Sequence, residues 1–234
     1  MMSLLLSLFV LLAAYLLGAV PTGLIIVKVV TGKDVRQIES GRTGGTNVMR
    51  AAGFWAGLST GIIDVIKGIL AVVLAYAITP GNLWVQVLAP WLAIVGHVYS
   101  IFLLDRIEDG KLRLRGGAGG ATCLGGLIAL WWPSVLFVLP IGMFIWLGIG
   151  YASVATLSMG FFAIVIFVYR AIFYGTSWVY IVYGVLAELV LIWTLRPNIQ
   201  RLFKGTERIV GIRAKKKTIG SEEKVNILSV SSHS

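Results

Sequence analysis

Long apolar runs alternate with short polar intervals along the 234 residues of the chain. The first run covers residues 3–30 and is interrupted by Gly18-Ala19-Val20-Pro21-Thr22-Gly23, a composition that predicts a bend. Further runs lie at 54–78, 83–104, 122–132, 135–147, 154–174 and 178–195. A bilayer core of about 30 Å needs about 20 helical residues, so most of these runs can span it. The runs at 122–132 and 135–147, split by Trp131-Trp132-Pro133, are short for that length. The pattern predicts an all-α polytopic membrane protein of about seven transmembrane helices. The short alternating segments of a membrane β-barrel are absent.

Composition agrees: 58% of residues are hydrophobic and 13% charged, with mean hydropathy +0.90. A soluble domain carries about 25% charged residues. The formal net charge of +10 does not call for a nucleic-acid partner, because every Lys and Arg except Lys67 and Arg170 lies in a polar interval, at a helix end or in the C-terminal tail. The positive-inside rule explains that clustering and predicts an outside N-terminus and a cytosolic C-terminus. The intervals then left outside, Pro80-Gly81-Asn82, Pro133-Ser134 and Gly175-Thr176-Ser177, carry no charge. The first 20 residues lack a basic n-region and are expected to be a retained span. Residues 1–207 are expected to form one membrane domain, and 208–234 a basic, disordered cytosolic tail. A single cysteine, Cys123, excludes an intramolecular disulfide.

Candidate chemistry is confined to the polar intervals. Glu39-Ser40-Gly41-Arg42-Thr43-Gly44-Gly45-Thr46-Asn47-Val48-Met49-Arg50 combines turn-forming glycines, neutral donors and two guanidinium forks, and precedes a helix predicted from Gly53 onward. A flexible connector is the plain alternative. A second interval of the same kind, Arg113-Leu114-Arg115-Gly116-Gly117-Ala118-Gly119-Gly120-Ala121-Thr122, favours an anion site. Neither ends in the Gly-Lys-Ser/Thr of a nucleotide-binding loop, no Gly-x-Ser-x-Gly occurs, and one His outside the tail makes no metal site. That His97, in Gly96-His97-Val98-Tyr99, stands near the second loop and is either a structural hydrogen-bonding group or a catalytic candidate. Asp64 and Lys67, three apart on one helical face, are expected to pair as a structural element. Glu188 has Arg170 or Lys67 as candidate partners.

Taken together these blocks resemble the bacterial acyl-phosphate:glycerol-3-phosphate acyltransferases, the PlsY family of seven-span inner-membrane enzymes. The likeness runs through the Gly18–Gly23 block, Ser40-Gly41, Thr46-Asn47-Val48-Met49-Arg50, Asp64 with Lys67-Gly68, and Gly96-His97. It continues in Arg115-Gly116-Gly117-Ala118-Gly119, Tyr151-Ala152-Ser153, Arg196-Pro197-Asn198-Ile199 and Gly205-Thr206-Glu207. The resemblance implies acyl transfer from acyl phosphate to the 1-hydroxyl of glycerol 3-phosphate, giving lysophosphatidic acid in phospholipid synthesis, in the bacterial inner membrane and without metal or cofactor. It also implies Ser40, Thr46, Asn47, Arg50, Arg115, Gly116, Gly117, Gly119 and Gly120 as substrate- and phosphate-binding positions, with Ser153, Asn198 and His97 as the catalytic set. Family members usually carry Asn at the position of Arg42, Lys at Ala118, Arg at Gly150 and His at Leu195. Arg42 is a candidate compensating cation. An altered or inactive homologue that binds a phospholipid precursor is the rival expectation, and an anionic metabolite or lipid transporter the alternative from another class.

Overall fold

The computed structural model describes residues 1–106 and 112–214; the expected tail from 215 to 234 lies outside the described residues. Nine helices are described: α1 (Met2–Ala19), α2 (Thr22–Thr31), α3 (Gly45–Ala52), α4 (Phe54–Ile78), α5 (Leu83–Val98), α6 (Gly120–Leu130), α7 (Val135–Phe144), α8 (Ala152–Tyr174) and α9 (Val179–Phe203). The first apolar run breaks at Val20-Pro21 as expected, giving α1 and α2. Five helical segments among the described residues are long and apolar enough to cross a membrane. One of them, Trp132–Ile149, joins a 3₁₀ turn, α7 and a π-helical turn at Ile145–Ile149. Leu83–Val98 and Gly120–Leu130 are apolar but shorter.

The all-α expectation needs one correction. The third run was expected to be helical through residue 104, but α5 stops at Val98 and Ser100–Arg106 forms strand β1, paired antiparallel with β2 (Leu112–Arg115). Leu104 faces Leu114 and Asp105 faces Arg113 across the pair. The alternation Leu-Arg-Leu-Arg suits a strand, whose successive side chains point to opposite faces. The apolar stretch at 101–104 that ends this run is too short for its periodicity to separate strand from helix.

Small residues set how closely the helices pack. A Cβ on Gly18 would strike the Ala93 carbonyl and one on Gly96 the Tyr15 carbonyl, so α1 and α5 touch backbone to backbone. Gly68 and Gly125 do the same between α4 and α6, against the Thr122 and Val65 carbonyls. In a lipid setting such close approach replaces the missing hydrophobic drive between helices with dispersion contacts. The central core gathers Val72, Ile94, Leu127, Phe167, Tyr183 and Leu191. Large apolar side chains such as Phe9, Ile62, Phe161 and Leu189 face outward, as a lipid-exposed surface requires.

The polar intervals converge at one end of the bundle. The Thr43 N–H donates to the Gly116 carbonyl, joining the two Gly-rich loops. Residues 206–214, after α9, fold back onto the body: the Val210 N–H donates to Gly150 O, and Arg213 Nη1 to Ile149 O at 2.9 Å. Residues 208–214, expected in the tail, are therefore packed against the α7–α8 turn.

Candidate active site

A cavity of about 800 Å³ opens at this polar end, between the 36–42 loop, the hairpin with Gly116-Gly117, and the last turns of α9. Seven arginines line it: Arg36, Arg42, Arg113, Arg115, Arg196, Arg201 and Arg208. Glu39 is the one carboxylate among the lining residues. Four of the arginines have acidic partners. Arg36 binds Asp34 and Asp105 at 2.7 and 2.6 Å, Arg115 reaches Asp105 at 2.8 Å, Arg201 reaches Glu207 at 3.0 Å and Arg208 reaches Glu39 at 3.2 Å. Hydrogen bonding from Arg36 holds the Asp34 carboxyl below its ordinary range. Arg42, Arg113 and Arg196 have no carboxylate partner among the described residues; Arg196 lies over the Trp193 ring at 3.8 Å. The surplus of fixed positive charge suits the cavity to anions.

The first loop folds around Asn47. Its buried Nδ2 donates to the carbonyls of Val35 (3.2 Å), Ile38 (3.0 Å) and Arg42 (2.9 Å). This side chain, expected to bind substrate, has its donors committed to shaping the loop. Thr46, Asn47 and Arg50 lie on α3, a short helix inside the interval that was not expected, while the helix expected from Gly53 onward is α4, with Gly53 as its N-cap. Ser40, Gly41 and Arg42 line the cavity, while Thr46 and Arg50 stand outside the lining. Arg50 is exposed, with Glu39, Arg208 and Glu207 as charged neighbours. Arg42 turns toward α9 and donates from Nη2 to the Thr194 carbonyl at 2.7 Å. Burial, with Arg201 nearby, lowers the proton affinity of its guanidinium, which still stays charged at neutral pH. Arg42 thus reaches the α9 turn that carries Leu195, whose own side chain is buried. Glu39 is the only non-glycine residue with positive φ among the described residues (φ 48°). Such a backbone costs on the order of 1 kcal/mol or more.

The second loop rests on His97. Cβ atoms on Gly116 and Gly117 would strike the His97 carbonyl and imidazole, and the Gly117 N–H donates to His97 O at 3.0 Å. Arg115, Gly116 and Gly117 line the cavity. Gly119, at φ 95°, is the N-cap of α6, and Gly120 packs on Thr156. His97 itself is buried beneath the loop, with Nδ1 3.6 Å from Asp64 Oδ1. Asp64 accepts from Lys67 at 2.8 Å and from Thr22 at 2.7 Å, and Lys67 donates to Val20 O at 2.6 Å. The expected Asp64–Lys67 pair is therefore present. It braces the α1–α2 break, and His97 belongs with this bracing rather than with the cavity wall. Glu188 meets neither expected partner: Lys67 pairs with Asp64, Arg170 lies over the Trp131 ring, and Glu188 packs against Gly160.

Ser153 and Asn198 meet through a residue the sequence reading gave no role. Buried Glu207 accepts from Asn198 Nδ2 at 2.7 Å, Ser153 Oγ at 3.3 Å and Arg201 Nε at 3.0 Å. Asn198 Oδ1 remains buried without a partner, an acceptor free for a donor such as a hydroxyl. The signal was available, since Gly205-Thr206-Glu207 is one of the blocks behind the resemblance. Its role needed the fold-back of 206–210 to become visible.

An apolar helical bundle with a cationic cavity at one polar end defines an integral membrane protein. Residues 8–205 match the family model described as Glycerol-3-phosphate acyltransferase. Among curated proteins, a glycerol-3-phosphate acyltransferase of Thermus thermophilus is 35% identical over 89% of this chain and 97% of its own length. One from a Synechococcus species is 38% identical over 89% and 98%. The crystal structure of PlsY, an integral membrane glycerol 3-phosphate acyltransferase in its glycerol 3-phosphate form, superposes with TM-score 0.73 at 30% identity, over 88% of this chain and 96% of that one. A lysophosphatidic acid form matches with TM-score 0.70 at 29% identity. The chain belongs to the glycerol-3-phosphate acyltransferase family.

Proposed function

We propose that this protein transfers an acyl group from acyl phosphate to the 1-hydroxyl of glycerol 3-phosphate, forming lysophosphatidic acid for phospholipid synthesis. The observation that carries this reading is the cavity itself, lined by seven arginines of which three have no carboxylate partner among the described residues, at the polar end of an apolar bundle. Both substrates bring phosphate to such a site, and the donor also brings a chain suited to the apolar helices. The hydroxyl oxygen forms the new ester bond at the acyl carbon. The bond from that carbon to the phosphate oxygen breaks, and the hydroxyl proton leaves on inorganic phosphate. Acyl phosphate is already activated, so orientation and charge stabilisation serve without a covalent enzyme intermediate.

In this reading Ser40 receives glycerol 3-phosphate in the cavity and Arg50, beyond the lining but beside the lining residues Glu39 and Arg208, adds its charge, while Arg115 and the backbone of Gly116–Gly120 hold a phosphate, with Arg42 adding a cation. Thr46 and Asn47 shape the first loop, and His97 supports the second from below. Asn198 Oδ1 and Ser153 orient the reacting hydroxyl. The seven apolar segments cross the bacterial inner membrane with the N-terminus outside and the cavity and C-terminus in the cytosol. Residues 1–207 form the catalytic domain, against which the basic segment 208–214 packs. Acyl phosphate supplied to purified protein with and without glycerol 3-phosphate tests the reading through release of phosphate and formation of lysophosphatidic acid.

A further inference from the structure

Glu39 sits at the cavity mouth next to Ser40, on the 36–42 loop, and is the one acid among the lining residues. Arg208, on the segment that folds back after α9, meets it twice: Nε lies 3.2 Å from Oε2, and Nη2 donates to the Glu39 carbonyl at 3.2 Å. The clasp joins two separate elements. It is held although Glu39 adopts a positive φ that glycine alone takes without strain. Its side chains are about half and one-third exposed (50% and 37%), so the contact opens without repacking a core. Charge-assisted pairing of Arg208 with a carboxylate uses the same fork that would receive a phosphate oxygen.

We propose that Glu39 is a built-in anion, seated on Arg208, which the phosphate group of an incoming substrate displaces. Glu39 thereby sets how tightly the site holds phosphate. The inference rests on the acyltransferase reading for the identity of its ligands, and on the clasp geometry alone for the displacement. A purely structural latch makes the opposite prediction, because opening it would loosen the mouth and weaken binding.

Binding of inorganic phosphate and of glycerol 3-phosphate, each measured alone by calorimetry on purified protein, tests this without turnover. Glu39→Gln removes the charge, and Glu39→Gly removes it while suiting the positive φ, so at least one variant is expected to fold. Displacement predicts that Kd for one or both ligands falls about threefold in the variants, the scale of a part-exposed ion pair. The KM for acyl phosphate at saturating glycerol 3-phosphate reads whether the donor's phosphate is the one that displaces Glu39. Tightening for any of the three ligands supports the proposal; unchanged or weaker binding of all three overturns it. A wild-type protein that binds phosphate yet transfers no acyl group would sink the acyltransferase reading while leaving the displacement test intact.

Discussion

Asn198 Nδ2 lies 2.7 Å from Glu207 Oε1, and this contact ties the C-terminal part of α9 to the segment that folds back after it. Ser153 and Arg201 donate to the same carboxylate, so one acid fixes the geometry of three polar side chains. Glu207→Gln should reduce kcat/KM tenfold or more, since buried charge-assisted hydrogen bonds are worth about 1.5–3 kcal/mol. Arg201→Gln removes one of the three donors, a part-exposed one, and should cost less. Steady-state kinetics with thermal melts of both variants check this. Equal losses would show that Glu207 does not organise Ser153 and Asn198.

Gly117 is confined by the imidazole of His97, and Gly116 by the His97 and Val98 carbonyls. Gly117→Ala should therefore lift the loop and weaken phosphate binding about tenfold. His97→Ala should relieve much of that defect, because the obstructing ring is gone. Gly116→Ala should not be relieved, since its obstacle is backbone. A double-mutant cycle on phosphate affinity reads the coupling. Additive effects for Gly117 and His97 would remove His97 from beneath the loop.

Arg42 has only the Thr194 carbonyl as a hydrogen-bond acceptor from its guanidinium and no carboxylate partner among the described residues. Arg42→Asn should lower kcat/KM by about tenfold or more, the loss of a charged hydrogen bond to phosphate. Arg42→Lys should recover only part, a point charge replacing a fork. Full activity in Arg42→Asn would leave the residue a purely structural tie to α9.

The bundle, the break at Val20-Pro21 and the Asp64–Lys67 pair could be read from the sequence because each is a local pattern: apolar run length, a Pro between nearby glycines, and spacing of three on a helix. The hairpin could not, because whether Ser100–Arg106 is strand or helix depends on a partner strand supplied by Leu112–Arg115. The loss of apolar character at Arg196 marked the end of the membrane run rather than of the helix, and α9 continues through Pro197 to Phe203. The site was legible as two Gly-rich loops but not as a cavity. Glu207 gathers partners at positions 153, 198 and 201, and Asn47 turns out to hold its own loop together. Both facts depend on where the chain returns, which residue type and spacing do not encode.

Asp34 has a carboxyl held below its ordinary range by Arg36, so it contributes stability above the unfolded pKa of about 3.9. That contribution is lost as pH falls through the lower folded value. The pair is partly exposed, with side chains at 26% and 23%, so the effect should be modest, about 0.5 kcal/mol. Melting temperatures of detergent-solubilised protein between pH 7 and about pH 3 should show a smaller acid-induced drop in Asp34→Asn than in wild type. An identical drop would show that the pair adds no stability.

The identity of the acyl donor distinguishes this chemistry most directly. Purified protein in lipid nanodiscs, given acyl phosphate and glycerol 3-phosphate, should release phosphate and lysophosphatidic acid in equal amounts, with neither formed when glycerol 3-phosphate is withheld. Replacing acyl phosphate by an acyl thioester should give no product. Lysophosphatidic acid formed from the thioester but not from acyl phosphate would contradict the proposed chemistry.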